Sequence, residues 1–134
     1  MTLEPPKDDA ELVDRFGREL VSVFENTMRQ VARIMSKSEV PIHKKFRAFL
    51  ETIPANERLT CVAQSALERF VHDLLSSFDE SREFKIVGTL KDGTEIDLRD
   101  LCPEGLHGNQ LDWFEKYSAF KDTYDMVEER FPDV

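Results

Sequence analysis

The sequence has no apolar run near the roughly 18 residues a membrane-spanning helix needs, so no membrane partner is expected. It has two cysteines, Cys61 and Cys102, too few for a disulfide framework. The N-terminal stretch MTLEPPKDDAEL lacks the basic and apolar segments of a secretory leader, which points to reduced thiols and a cytoplasmic location. Phosphate-binding and dinucleotide glycine loops are missing, as are HExxH, CxxC, GxSxG and EF-hand patterns. Most chemistries that a motif would announce are thereby set aside, and no cofactor is called for. An excess of positive charge is missing too. With 27 acidic against 18 basic side chains the net charge is −9, so no nucleic-acid partner is expected.

What is present is the composition of one globular domain. The 134 residues are 40% hydrophobic and 34% charged, read here as a single domain over 1–134 with a flexible lead-in over 1–7 around Pro5-Pro6. The charge is segregated. Residues 92–134 hold 12 acidic and 4 basic side chains, whereas the first 91 residues are nearly balanced. Such a C-terminal third suits a basic partner, and solubility alone would also account for it.

The only β signal is Phe84–Leu98, FKIVGTLKDGTEIDL. Apolar residues alternate along both arms, and Gly93 falls where a three-residue loop needs a left-handed residue. The implied register sets Gly88 opposite Ile96 and Ile86 opposite Leu98, with Phe84, Ile86, Leu90, Ile96 and Leu98 on one face. It also sets Lys85 opposite Arg99. A lone hairpin is marginal in water, so helices or a second chain must cover it.

Helical periodicity accounts for most of the rest. Asp8 and Glu11 form an acidic variant of a capping box. Val13, Phe16, Leu20, Phe24, Met28 (or Thr27), Val31 and Met35 then make an apolar stripe, widened by Val23 and Ile34, along a helix from about Asp9 to Met35. Pro41 opens a short helix with Ile42, Phe46, Phe49, Leu50 and Ile53 inward and the basic His43, Lys44, Lys45 and Arg47 outward. Asn56 is expected to cap a third helix running to Phe78, whose broad apolar surface predicts the centre of the core. Asn109 is expected to cap a last helix bearing Trp113, Tyr117, Phe120, Tyr124, Val127 and Phe131, with a break or kink at Ser118 and an end at Pro132. The expected fold is therefore α+β and predominantly helical: three N-terminal helices, one two-stranded antiparallel hairpin at about 84–98, and an aromatic-rich C-terminal helix.

Three groups of residues could carry function. Cys102 and His107 share an irregular loop and would make a thiol–imidazole nucleophile, although Asp100 and Glu104 beside them oppose a thiolate. Glu104 and His107 form one Glu-x-x-His run, and Glu68 and His72 could share a helix face, giving a candidate metal-ligand set. A solvated ion pair is the bland account of Glu68 and His72. The loop itself is expected to plug the core with Leu106 while Gly105 and Gly108 supply unusual backbone angles.

The third group is the aromatic face of the last helix. Trp113, Tyr117, Phe120 and Tyr124, rimmed by Asp112, Glu115, Asp122 and Asp125, have the composition of a protein contact surface. The expectation is a non-enzymatic binding or interaction protein, of inhibitor or immunity type in one version. Its partner would be a basic protein or a second copy of the chain, the latter by edge-to-edge hairpin pairing. The alternative is a small enzyme or metal-binding protein centred on residues 102–107.

Overall fold

A computed structural model describes residues 4–132; residues 1–3 of the expected lead-in lie outside the described range. The elements are α1 (Asp9–Ser36), α2 (Pro41–Leu50), α3 (Ala55–Glu80), β1 (Val87–Thr89), β2 (Glu95–Asp97), α4 (Gly105–Gly108), α5 (Gln110–Tyr117) and α6 (Thr123–Arg130), with a 3₁₀ turn over Leu98–Leu101. This is the predominantly helical α+β fold expected, with one antiparallel hairpin.

Local chemistry fixes most boundaries. The Asp8 carboxylate accepts the Glu11 N–H at 2.8 Å, and Glu11 accepts the Lys7 N–H at 3.0 Å, so α1 begins where two acids can satisfy its first donors. Pro41 begins α2. Asn56 does not cap α3. Pro54, held extended at φ −59° and ψ 151°, precedes the first turn and leaves Asn56 inside it. Asn109 does not cap α5 through its side chain either. The preceding turn α4 holds it at φ −93° and ψ −6°, and its amide turns back toward the Gly105 carbonyl. The last helix does break at Ser118, where ψ swings to 141°, and α6 restarts with the Asp122 carboxylate accepting the Tyr124 and Asp125 N–H groups.

The hairpin keeps the expected register, Gly88 against Ile96 and Val87 against Asp97, with Gly93 at φ 91° in the turn. Its strands are shorter than the pattern implied. Lys85 and Arg99 do not oppose each other, because Arg99 folds onto its neighbour Asp97 at 2.8 Å and donates to the Phe78 carbonyl at 3.0 Å. Of the apolar face, Phe84 meets Phe16 edge-on at 5.3 Å, while Leu90 stays exposed.

Two expectations about the core are met only in part. The buried cluster is Ile34, Phe46, Phe49, Leu50, Cys61 and Val127, gathered where the end of α1 and the start of α3 meet α2 and α6. α3 packs against α1, α4 and α6 as a central helix should, but Cys61 is its one buried residue among the described residues, so the tightest core lies at its start and not along its length.

The apolar stripe of α1 is buried only along one edge, the one formed by the Thr27 alternative with Val23 and Ile34. Val23, Thr27 and Ile34 are buried, whereas Val13 is 71% exposed, Phe24 53% and Met28 50%. The reason lies in the partner helix. α3 runs antiparallel to α1 and grips it by polar contacts, Ser77 to Glu19, Thr27 to Asp73 at 2.6 Å and Arg69 to Gln30 at 2.6 Å. Those contacts favour the Val23–Thr27–Ile34 line. Of the stripe, Phe16 still meets Phe78 and Phe84 and Met35 packs on the core, while Val13, Phe24 and Met28 are left exposed.

The basic face of α2 is partly spent inside the chain. Lys45 reaches Glu128 of α6 at 3.6 Å, and Arg47 donates to the Ile34 and Ser38 carbonyls.

Candidate functional site

A cleft of about 380 Å³ opens between α3, α4, α5 and the start of α6. Ser65, Glu68, Arg69 and His72 line it from α3, His107 and Gly108 from α4, Gln110, Leu111 and Phe114 from α5, and Asp122, Thr123 and Tyr124 from the α6 end.

Asp79, near the C-terminus of α3, organises one wall. Its carboxylate accepts the Leu106 N–H at 2.7 Å and the His107 N–H at 3.0 Å, satisfying the first donors of the short α4 turn. The same carboxylate meets His107 Nδ1 at 2.5 Å. Burial works to raise the Asp79 carboxyl, but the His107 N–H, the His107 ring and the Leu106 N–H outweigh it and hold the group below the usual carboxylate range. With Nδ1 bound to Asp79, Nε2 is the remaining basic atom of His107. The His72 ring stands edge-on to the His107 ring with centroids 5.5 Å apart.

Gly105 makes this approach possible. It sits at φ +80°, and a Cβ there would come within 2.7 Å of Asp79 Oδ2. Gly108, expected to be unusual, has an ordinary negative φ, while Leu106 fills the core at 2% exposure as expected.

Glu68 organises the opposite wall. It accepts from the buried Thr123 hydroxyl at 2.8 Å, the Thr123 N–H at 3.2 Å and Gln64 Nε2 at 2.8 Å. Burial raises its pKa, the Gln64 and Thr123 hydrogen bonds work against that, and the nearby Asp122 adds to it. Gln110 Oε1 is the buried side-chain acceptor left without a hydrogen-bond partner among the described residues.

The sequence candidates separate accordingly. Glu68, His72 and His107 come to one cleft, but Glu68 bonds Thr123 and Gln64 rather than pairing with His72. Cys102 is half-buried and outside the cleft lining, and His107 Nδ1 is held by Asp79 instead. Glu104 is exposed at the start of α4 and makes no side-chain cap. Among the described residues no three His, Cys, Asp or Glu side chains are close enough together to hold a metal ion. Asp79, Arg69, Thr123 and Gln110 carried no signal in the sequence. Asp79 lies in a polar stretch without periodicity, and its partner is 28 residues away.

The aromatic stripe of the last helix divides at the Ser118 break. Tyr124 turns inward, edge-on to Phe46 at 6.5 Å and hydrogen-bonded to Arg69 at 3.2 Å. Tyr117 and Phe120 remain 74% and 73% exposed, and Trp113 is partly exposed. Asp112, Glu115 and Asp125 stand exposed around them, whereas Asp122 is engaged as the α6 cap.

No known protein family, characterised protein or solved structure matches this chain. Among the described residues no helix is long and apolar enough to cross a membrane.

Proposed function

We propose that the chain is a non-enzymatic interaction protein that meets a basic protein partner through its acidic, aromatic C-terminal segment. The observation that carries this reading is the exposure of Tyr117 and Phe120, about three-quarters each, inside the acid-rich third of the chain. Large aromatics with a polar rim are the composition of interface centres, and clustered negative charge accelerates encounter with a positive surface. An inhibitor- or immunity-type role would use such a surface to neutralise its target. Two unpaired thiols, one buried, suit a reducing setting such as the cytoplasm.

The test is site-specific photocrosslinking in native cells, with the photoreactive residue at position 117 or 120 and a control at the exposed Glu57 of α3. Adducts to another protein at 117 and 120, absent at 57 and reduced when Asp112, Glu115 and Asp125 are neutralised, are expected. No adduct above the control would overturn the reading.

A second reading rests on one geometry, the 2.5 Å Asp79–His107 pair facing a cleft of about 380 Å³. His107 Nε2 would act there as a general base on a small ligand. A ligand that binds the native chain but not His107→Gln, in a manner dependent on pH, is the outcome that would favour it.

A further inference from the structure

The chain exposes 9,940 Å² of surface. A compact monomer of 15.6 kDa would expose about 7,200 Å². The excess, about 2,700 Å² by that scaling, far exceeds the ~800 Å² per chain that a stable protein interface covers. Part of it is the apolar stripe of α1, where Val13, Phe24 and Met28 are at least half exposed.

The edge of that stripe carries a pattern that specifies its occupant. Asp14, Arg18, Glu25 and Arg29 follow at spacings of four, seven and four residues. At about 100° per residue they fall within an arc of about 60°, along one flank of the stripe. All four are exposed: the Asp14–Arg18 pair at 58% and 81%, the Glu25–Arg29 pair at 53% and 73%. The signs run minus, plus, minus, plus. Read backwards the spacing is unchanged and every sign inverts. A second copy laid antiparallel therefore sets Asp14 against Arg29 and Arg18 against Glu25, twice over by symmetry. A parallel two-fold copy would turn this flank to the opposite side of the partner helix, where the four charges do not meet.

The apolar residues fall close to the same centre, which lies between Val21 and Ser22. A two-fold there brings Phe24 of one chain within a residue of Leu20 of the other, and Met28 within two residues of Gly17. Beyond the helix's own backbone, no atom lies within 4 Å of where a Gly17 Cβ would stand, so the position is an open notch on the helix surface. A mid-helix glycine costs about 1 kcal/mol against alanine, and close approach of a second helix gives that cost a use. We propose that two copies of this chain associate through α1, antiparallel and two-fold symmetric about a point between Val21 and Ser22, with Asp14 and Arg18 of each facing Arg29 and Glu25 of the other. This surface is distinct from the C-terminal segment, so either can fail without the other.

The experiment uses the full chain with Cys102→Ser to silence the accessible thiol. Val21→Cys, next to the two-fold, is expected to crosslink to its own copy under mild oxidation, and Val13→Cys, eight residues away, is not. Sedimentation equilibrium is expected to show dimer association weakened about tenfold by Asp14→Arg, as exposed pairs turn repulsive at two symmetric places. Adding Arg29→Asp to Asp14→Arg is expected to restore most of the loss. Leu20→Glu with Phe24→Glu, both at exposed sites, should give a monomer with unchanged circular dichroism. A native monomer at 100 µM, equal self-crosslinking at 13 and 21, or no recovery in the double charge reversal would each overturn the proposal. Crosslinking through hairpin positions instead would assign association to the sheet edge and overturn it equally.

Discussion

His107 Nδ1 lies 2.5 Å from Asp79 Oδ2, and the same carboxylate accepts the Leu106 and His107 backbone N–H groups. One acid thus joins the end of α3 to the start of α4. Asp79→Ala removes three acceptor contacts and is expected to cost about 1–2 kcal/mol in urea unfolding, the range of a lost helix cap. Because the native Asp79 pKa is depressed, its stabilisation is present above the ordinary aspartate value of about 3.9 and is lost as pH falls through the native value. The difference between native chain and variant should therefore shrink in acid.

Gly105→Ala tests the same junction from the other side. The added Cβ enters a left-handed backbone and presses on Asp79 Oδ2, so destabilisation above about 1 kcal/mol is expected. In the Asp79→Ala background the steric part should disappear and only the backbone part remain, which a double-mutant cycle measures.

Glu68 titrates in the opposite sense. Burial raises its native pKa, so folding is favoured most below the ordinary glutamate value of about 4.3 and loses that advantage as pH rises through the native value. Glu68→Gln keeps an acceptor for Thr123 and removes the charge. Its stability relative to the native chain should climb between pH 4 and pH 8, as followed by thermal melts across that range. A flat difference would mean the carboxylate is not desolvated.

The core and the exposed aromatics should respond very differently to truncation. Phe46 is 1% exposed within the buried cluster, and Phe46→Ala is expected to cost about 3–5 kcal/mol. Phe120→Ala, at a side chain 73% exposed, should stay within about 0.5 kcal/mol. A large loss at Phe120 would place it in a core rather than on a contact surface.

Local signals read well from the sequence because their causes are local. The Asp8 cap, the Pro41 start, the Gly93 turn and the Ser118 break each depend on a few adjacent residues, and each is found. The failures all involve a second element. Periodicity located the stripe on α1, but which line of that helix is buried was set by Asp73, Arg69 and Ser77 of α3. Asn109 has the chemistry of a cap, yet the α4 turn before it fixes the wrong backbone angles. His107 was legible as a titratable residue in a glycine-rich loop. Asp79, 28 residues earlier in a polar stretch, was not, because nothing in the spacing says that α3 ends beside that loop.

The central claim is that α1 carries a surface meant to be covered, and the solution mass of the native chain tests it most directly. Light scattering of the full chain at 100 µM in 0.15 M salt should return twice the 15.6 kDa of one copy, and the Leu20→Glu, Phe24→Glu variant should return one. A native mass of 15.6 kDa at that concentration would contradict it.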